Sequence, residues 1–206
     1  MARLPPETLS AKRWERLVFA RPTLQVARGL LGQRLVHVLD GERLSGIISE
    51  TEAYISERDL ACHARFGRTS RSEVMFGPPG HAYVYFTYGM HWMFNVVTEA
   101  EGFPAAVLIR AIQPQAGVET MRARRGRPDR ILTDGPGKLA QALGIDRRLN
   151  GHDLCAPDAV LFVERARAVP TREVVRGPRV GLNNTPEPWK SKLWNFKWMG
   201  DREARR

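Results

Sequence analysis

Hydrophobic and polar residues alternate along residues 46–54 with the two-residue period of a β-strand. The alternation sets Ile48, Glu50, Glu52 and Tyr54 on one face, and Ile47, Ser49, Thr51 and Ala53 on the other. Carboxylates on a core-facing side are costly to bury without a purpose. An edge strand would instead leave Glu50 and Glu52 in water, and the segment alone does not choose. Upstream, Thr23 is a candidate cap for a helix whose Leu24, Ala27, Leu30 and Leu31 recur at three and four, with Gly32 as its stop. Residues 33–39 alternate as a strand, and Asp40-Gly41 is a hairpin signal leading back to Glu52. A helix beside an antiparallel hairpin predicts an α+β opening.

Residues 55–80 carry no clear period. Arg65, Arg68 and Arg71 punctuate a loop with Gly67, Thr69, Ser70 and Ser72, a spacing that suits phosphate contacts or plain solvation. Two aromatic strand-like runs, 83–86 and 91–95, flank Tyr88-Gly89-Met90 as a hairpin tip. Tyr83 and Tyr85 share one face of the first run. Residues 105–111 form a further strand on which Leu108 and Arg110 point the same way. Residues 118–130 are helix-prone and arginine-rich, and Gly135-Pro136-Gly137-Lys138 introduces a helix at 139–143 that Gly144 ends. Short strands are expected at 159–164 and 172–175. The tail, with Trp189, Trp194, Phe196 and Trp198 among lysines, is expected to pack on the body. Residues 1–21 read as a flexible basic arm or short surface helix, and 22–206 as one domain.

Composition narrows the partners. The 206 residues are 43% hydrophobic and 26% charged, the balance of a folded chain. Lys and Arg number 32 against 22 acidic residues, a formal +10 that points to a polyanion, nucleic acid before membrane. Cys62 and Cys155 have no metal-ligand or disulfide-scaffold spacing, and no metal or cofactor is expected. With no leader pattern and no long apolar run, a cytoplasmic, nucleoid-associated protein is expected. Zincin, nucleophile-elbow, EF-hand and dinucleotide motifs are missing, and residues 135–138 are not a P-loop because Leu139 stands where Ser or Thr belongs.

What remains is an aromatic set, Tyr54, His63, Tyr83, Tyr85 and Tyr88, near a carboxylate. Planar side chains stack on bases, and a tyrosine at a hairpin tip can wedge between base pairs. Glu50 and Glu52 lie about 6–7 Å apart at the backbone, near the separation of an inverting glycosidase pair. An N-glycosidic bond in DNA breaks through the same oxocarbenium-like charge pattern.

The run Glu50-Thr51-Glu52-Ala53-Tyr54, His63 nine residues on, Tyr83-Val84-Tyr85, Tyr88-Gly89-Met90, Asn95 and residues 107–111 resembles the alkyladenine (3-methyladenine) DNA glycosylase family. Residues 117–121, 135–143 and Arg179-Val180-Gly181 agree further, so the likeness spans about 23–182. The resemblance implies a single α+β domain with a curved, mainly antiparallel sheet packed by helices, as in the carboxy-terminal domain of formyltransferases. It implies Glu52 as the base that activates water and Arg110 as its partner. It gives Tyr54, His63, Tyr85, Asn95 and Leu108 as pocket residues, Asn95 against guanine. Tyr88, Gly89, Met90, Arg68 and Lys138 fall to DNA contact, and Glu50 to a structural pairing. The implied partner is duplex DNA holding a damaged purine, met by a monomer without cofactor, metal or membrane. The alternative is a non-catalytic nucleic-acid-binding module of the same fold. A small-molecule glycosidase fits the carboxylates but not the charge. Two departures stand out: where the family usually ends in an Arg-Phe-aromatic stretch followed by Gly, a small or polar residue and Pro, this chain reads Leu193-Trp194-Asn195-Phe196-Lys197-Trp198-Met199-Gly200-Asp201, and His91 replaces a common aromatic.

Overall fold

The structure, a computed structural model, describes residues 13–87, 89–127 and 131–200. Its axis is the strand around Glu52, longer than its alternation suggests: β2 runs from Glu42 to Ile55. β1 (Arg34–Leu39) returns alongside it through Asp40 and Gly41, which both take positive φ, as the twist of a two-residue hairpin demands. The remaining strands are β3 (Ala82–Thr87), β4 (His91–Val97), β5 (Ala105–Ala116), β6 (Leu161–Glu164), β7 (Val174–Gly177) and β8 (Asn195–Trp198). They form one eight-stranded sheet in the order β3-β4-β5-β2-β1-β6, every pair antiparallel. β5 lies along one side of β2. On the other side β1 covers its first half, and β8, itself paired to β7, covers Glu50–Glu52. The curved antiparallel α+β domain expected from the sequence is the one observed.

The expected alternation of β2 is broken once. The ladder shifts register between Ile48 and Glu50, leaving Ser49 unpaired, and again between Glu50 and Thr51, leaving Arg110 unpaired on β5. Ile48 therefore parts company with Glu50: it joins the apolar cluster that holds Ala53, while Glu52 and Tyr54 stay at the site described below.

The helices are α1 (Arg16–Phe19), α2 (Thr23–Leu30), α3 (Val118–Arg125) and α4 (Pro136–Leu143). α2 buries Val26, Ala27 and Leu30, and α4 buries Leu139, Ala140, Ala142 and Leu143, all in the main core. Thr23 does not cap α2 as expected. It is the first helical residue, and its own N–H and hydroxyl donate to Glu99 at 2.6 and 2.8 Å. A carboxylate from a loop satisfies the helix start and meets its dipole. α3 is shorter than the arginine-rich run because Gly126 turns left-handed after Arg125; α4 starts three residues early, at Pro136. The segment 13–21 is no free arm: Trp14 and Phe19 are buried in the core, and Arg16 pairs with Asp153 at 2.6 Å. No helix among the described residues is long and apolar enough to cross a membrane.

The chain between α2 and β1 turns at Gly32, with φ of 81°. A Cβ there would sit 2.4 Å from the Arg167 carbonyl oxygen and 2.6 Å from Val169 Cγ2. Left-handed strain and a backbone clash combine, so Gly32→Ala is expected to cost about 2–4 kcal/mol, read from urea unfolding midpoints.

Candidate active site

Successive cross-strand partners put Tyr83, Asn95, Leu108, Glu52 and Asn195 in one row over five strands. Residues in register share a face, so this row is the floor of the site. Tyr54 lies two residues beyond Glu52, and Arg110 reaches back from the bulge. The 3-10 turn His63–Phe66 and the loop at Val180–Leu182 complete a cavity of about 330 Å³, near the lower end for small-ligand pockets.

Glu52 lies behind this cavity with no exposed surface. Its burial is tolerable because both oxygens are fully engaged. Oε2 accepts from the Tyr54 hydroxyl at 2.9 Å and from Arg110 Nη1 at 3.3 Å. Oε1 accepts from the Val180 amide at 2.6 Å and from Asn195 Nδ2 at 3.1 Å. Glu50 accepts from Arg110 Nε at 2.9 Å and from the same Asn195 nitrogen at 2.8 Å. Burial opposes the charge of Arg110, but Glu52 and Glu50 outweigh it and hold the guanidinium above its ordinary value. Burial, and then the negative charge of Glu52, push the Tyr54 phenol well above its usual range, so it stays a donor.

Opposite the carboxylates stand the rings. His63 meets Tyr85 edge-on at 4.5 Å, and its Nδ1 lies 2.7 Å from the Tyr83 hydroxyl. Asn95 donates Nδ2 to the Tyr83 carbonyl at 3.0 Å, which fixes its carboxamide. Burial, with Arg71 and Arg65 nearby, drops His63 to about 4, so the imidazole is neutral at pH 7. An unfolded histidine titrates near 6.5. The unfolded chain therefore takes up the proton first, and stability is expected to fall as pH drops from about 6.5 toward 4. The loss is of order 1–3 kcal/mol, and His63→Asn should flatten that part of the pH profile of urea midpoints.

The loop that brings Val180 to Glu52 is held by a buried ion pair. Arg179 donates to Asp59 at 2.5 and 2.8 Å and to the Ala53 carbonyl at 3.0 Å. Its guanidinium lies 4.7 Å from the Tyr54 ring centre and 5.0 Å from that of Trp194.

The residues predicted to form the site are thus largely gathered. Glu52, Arg110, Tyr54, His63, Tyr85, Asn95 and Leu108 lie in or directly behind one cavity. Gly89 takes φ of 65° at a turn beside Thr87, which lines the cavity, and Met90 is 69% exposed. Tyr88 lies outside the described residues. Arg68 and Lys138 are outside the cavity, ion-paired at the surface with Glu73 and Asp134. Tyr83, a member of the aromatic set but not of the predicted site, also lines the cavity. Asp59, Arg179, Val180 and Asn195 were missed as site residues, since no local pattern joins residues more than 100 positions apart. Among the described residues no group of three or more His, Cys, Asp or Glu is placed to hold a metal ion.

Comparison with known proteins agrees with this geometry. The family model described as methylpurine-DNA glycosylase matches residues 17–202. A putative 3-methyladenine DNA glycosylase of Carboxydothermus hydrogenoformans is 48% identical over 186 residues, covering 89% of this chain and 96% of that protein. Similarly named proteins of Methanocella arvoryzae and Myxococcus xanthus are 50% and 53% identical, covering 84% and 80% of this chain and 88% and 79% of theirs. With its buried carboxylate–arginine pair behind an aromatic cavity and a match across nearly its whole length, the chain belongs to the methylpurine-DNA glycosylase family, the DNA glycosylases of base-excision repair.

Proposed function

We propose that the protein, acting as a monomer on duplex DNA, takes a damaged purine into the aromatic cavity and hydrolyses its N-glycosidic bond, leaving an abasic site. The substrates are alkylated purines such as 3-methyladenine, with hypoxanthine as a slower neutral substrate. The observation that carries this reading is the caged Glu52 with Arg110 at the back of a base-sized cavity. Tyr54, His63 and Tyr85 supply faces and edges against which a flipped base can stack. The leaving group, an alkylated purine, already carries positive charge and departs as a neutral base without an added proton.

Water activation needs an open position on Glu52. A carboxylate offers about four lone-pair directions, and four donors meet them in the free protein. The Arg110 contact, at 3.3 Å, is the longest of the four. A water entering between Arg110 and Glu52 replaces that contact, donates its proton to Oε2 and presents its oxygen to C1′. The carboxylate then faces the positive charge that develops on the sugar. No lysine lines the cavity among the described residues, so an imine with the opened sugar, and strand cleavage through it, is not part of the scheme. The family resemblance gives Tyr88 the role of filling the gap left by the flipped nucleotide, at an unstacking cost of a few kcal/mol.

The test is single-turnover incubation with a duplex carrying one alkylated purine, followed by alkali. Strand breaks that appear only after alkali are expected. Tight, salt-sensitive binding with no abasic product would replace this reading with that of a binding module.

A further inference from the structure

We infer that Asn195 is a positioning residue that sets the charge of the site, and through it favours positively charged purines over neutral ones. The inference rests on the proposed excision chemistry. Asn195 sits on β8 directly across from Glu52, in the segment where the sequence leaves the family pattern. Its carboxamide nitrogen has two hydrogens, and it lies 2.8 Å from Glu50 Oε1 and 3.1 Å from Glu52 Oε1. One donor group therefore spans both carboxylates and fixes their spacing. It is buried, so these bonds have little competition from water.

The charge balance follows from what does and does not carry charge in the cage. Arg110 pairs with both carboxylates. The other donors to Glu52, the Tyr54 hydroxyl, the Val180 amide and Asn195, are neutral. Arg179, close by, is committed to Asp59. Two carboxylates thus share one guanidinium, a formal charge of minus one on the carboxylate cluster. A cationic nucleotide keeps its unit positive charge from binding to the transition state, where the charge has moved from base to sugar. It is attracted to the cluster throughout. A neutral lesion reaches the transition state only by separating charge, and gains less. An arginine in place of Asn195 would keep donors to both carboxylates but cancel the net charge.

The experiment compares second-order, single-turnover excision of 3-methyladenine, a cationic lesion, and hypoxanthine, a neutral one, in otherwise identical duplexes. Asn195→Arg is expected to lower the ratio of the two rates about tenfold, the scale of one unit charge roughly 10 Å away at an effective dielectric near 20. Asn195→Ser removes the bridge without adding charge. It is expected to slow both lesions about tenfold and to keep their ratio within about threefold. An unchanged ratio in a folded Asn195→Arg, or unchanged rates in Asn195→Ser, overturns the inference. If Asn195→Arg does not fold, judged by circular dichroism, Glu50→Gln, which cancels the same net charge, is expected to lower the ratio about tenfold, and an unchanged ratio there overturns the inference. Failure of the unaltered protein to release either base would instead overturn the excision reading itself.

Discussion

Glu52→Gln is expected to lower single-turnover excision by about a thousandfold or more while leaving affinity for lesion-bearing DNA within about threefold. The size follows from the loss of a positioned general base, and the retained affinity from where Glu52 lies. It has no exposed surface and stands behind the residues that line the cavity, so it offers DNA almost nothing to bind. The substitution is not innocent for the fold. Four donors converge on the carboxylate, two on each oxygen. An amide offers one oxygen, so whichever way the new carboxamide turns, two donors face an NH2 group. Leaving buried donors without acceptors costs roughly 1–3 kcal/mol. Urea unfolding of the same preparation separates this cost from the catalytic loss: the variant should remain folded at assay temperature with a lowered midpoint. Excision within tenfold of the unaltered protein would remove Glu52 from the role of base.

The family resemblance named this site in advance, and β2 and β5 show why its residues meet. Glu52 and Tyr54 fall two apart on one strand, and Leu108 and Arg110 two apart on the next. A period of two is visible in sequence, and pairing of the strands brings the two sets together. The same reasoning failed at Ile48, because a bulge changes the count of residues between partners without leaving any local signature. It failed for Thr23 for a similar reason. The residue type was right for a cap, but the acceptor that completes the helix start is Glu99, 76 positions away. Asn195 and Val180 were invisible as site residues since each acts through hydrogen-bond geometry set by tertiary packing. Arg68 and Lys138, expected as DNA contacts, lie at the surface. Each pairs there with a neighbouring carboxylate, Glu73 and Asp134, outside the cavity.

Arg179→Met is expected to give the largest loss of stability among single substitutions in the site, about 3–5 kcal/mol. Both partners of the Arg179–Asp59 pair are fully buried. Removing the guanidinium strands a carboxylate that no water can reach, and that penalty exceeds whatever net stabilisation the pair supplies. Arg179 also donates to the Ala53 and Trp189 carbonyls, so two acceptors lose partners with it. Its loss frees the chain at Val180, whose amide is the shortest contact Glu52 makes. Excision should therefore fall together with stability. The pairing of charges can be isolated by a double-mutant cycle with Asp59→Asn, whose one oxygen still accepts from either the Ile55 or the Ala61 amide. The double variant should recover more than 1 kcal/mol relative to the sum of the single losses, because the uncompensated buried charge is then gone. Strict additivity in urea unfolding would show that Arg179 stabilises the fold by packing between Tyr54 and Trp194 and not by meeting Asp59. The two outcomes also separate in activity. A packing role predicts that the double variant stays as slow as Arg179→Met, whereas a charge-pair role predicts that relieving Asp59 lets the 180 loop return to Glu52 and part of the excision rate with it.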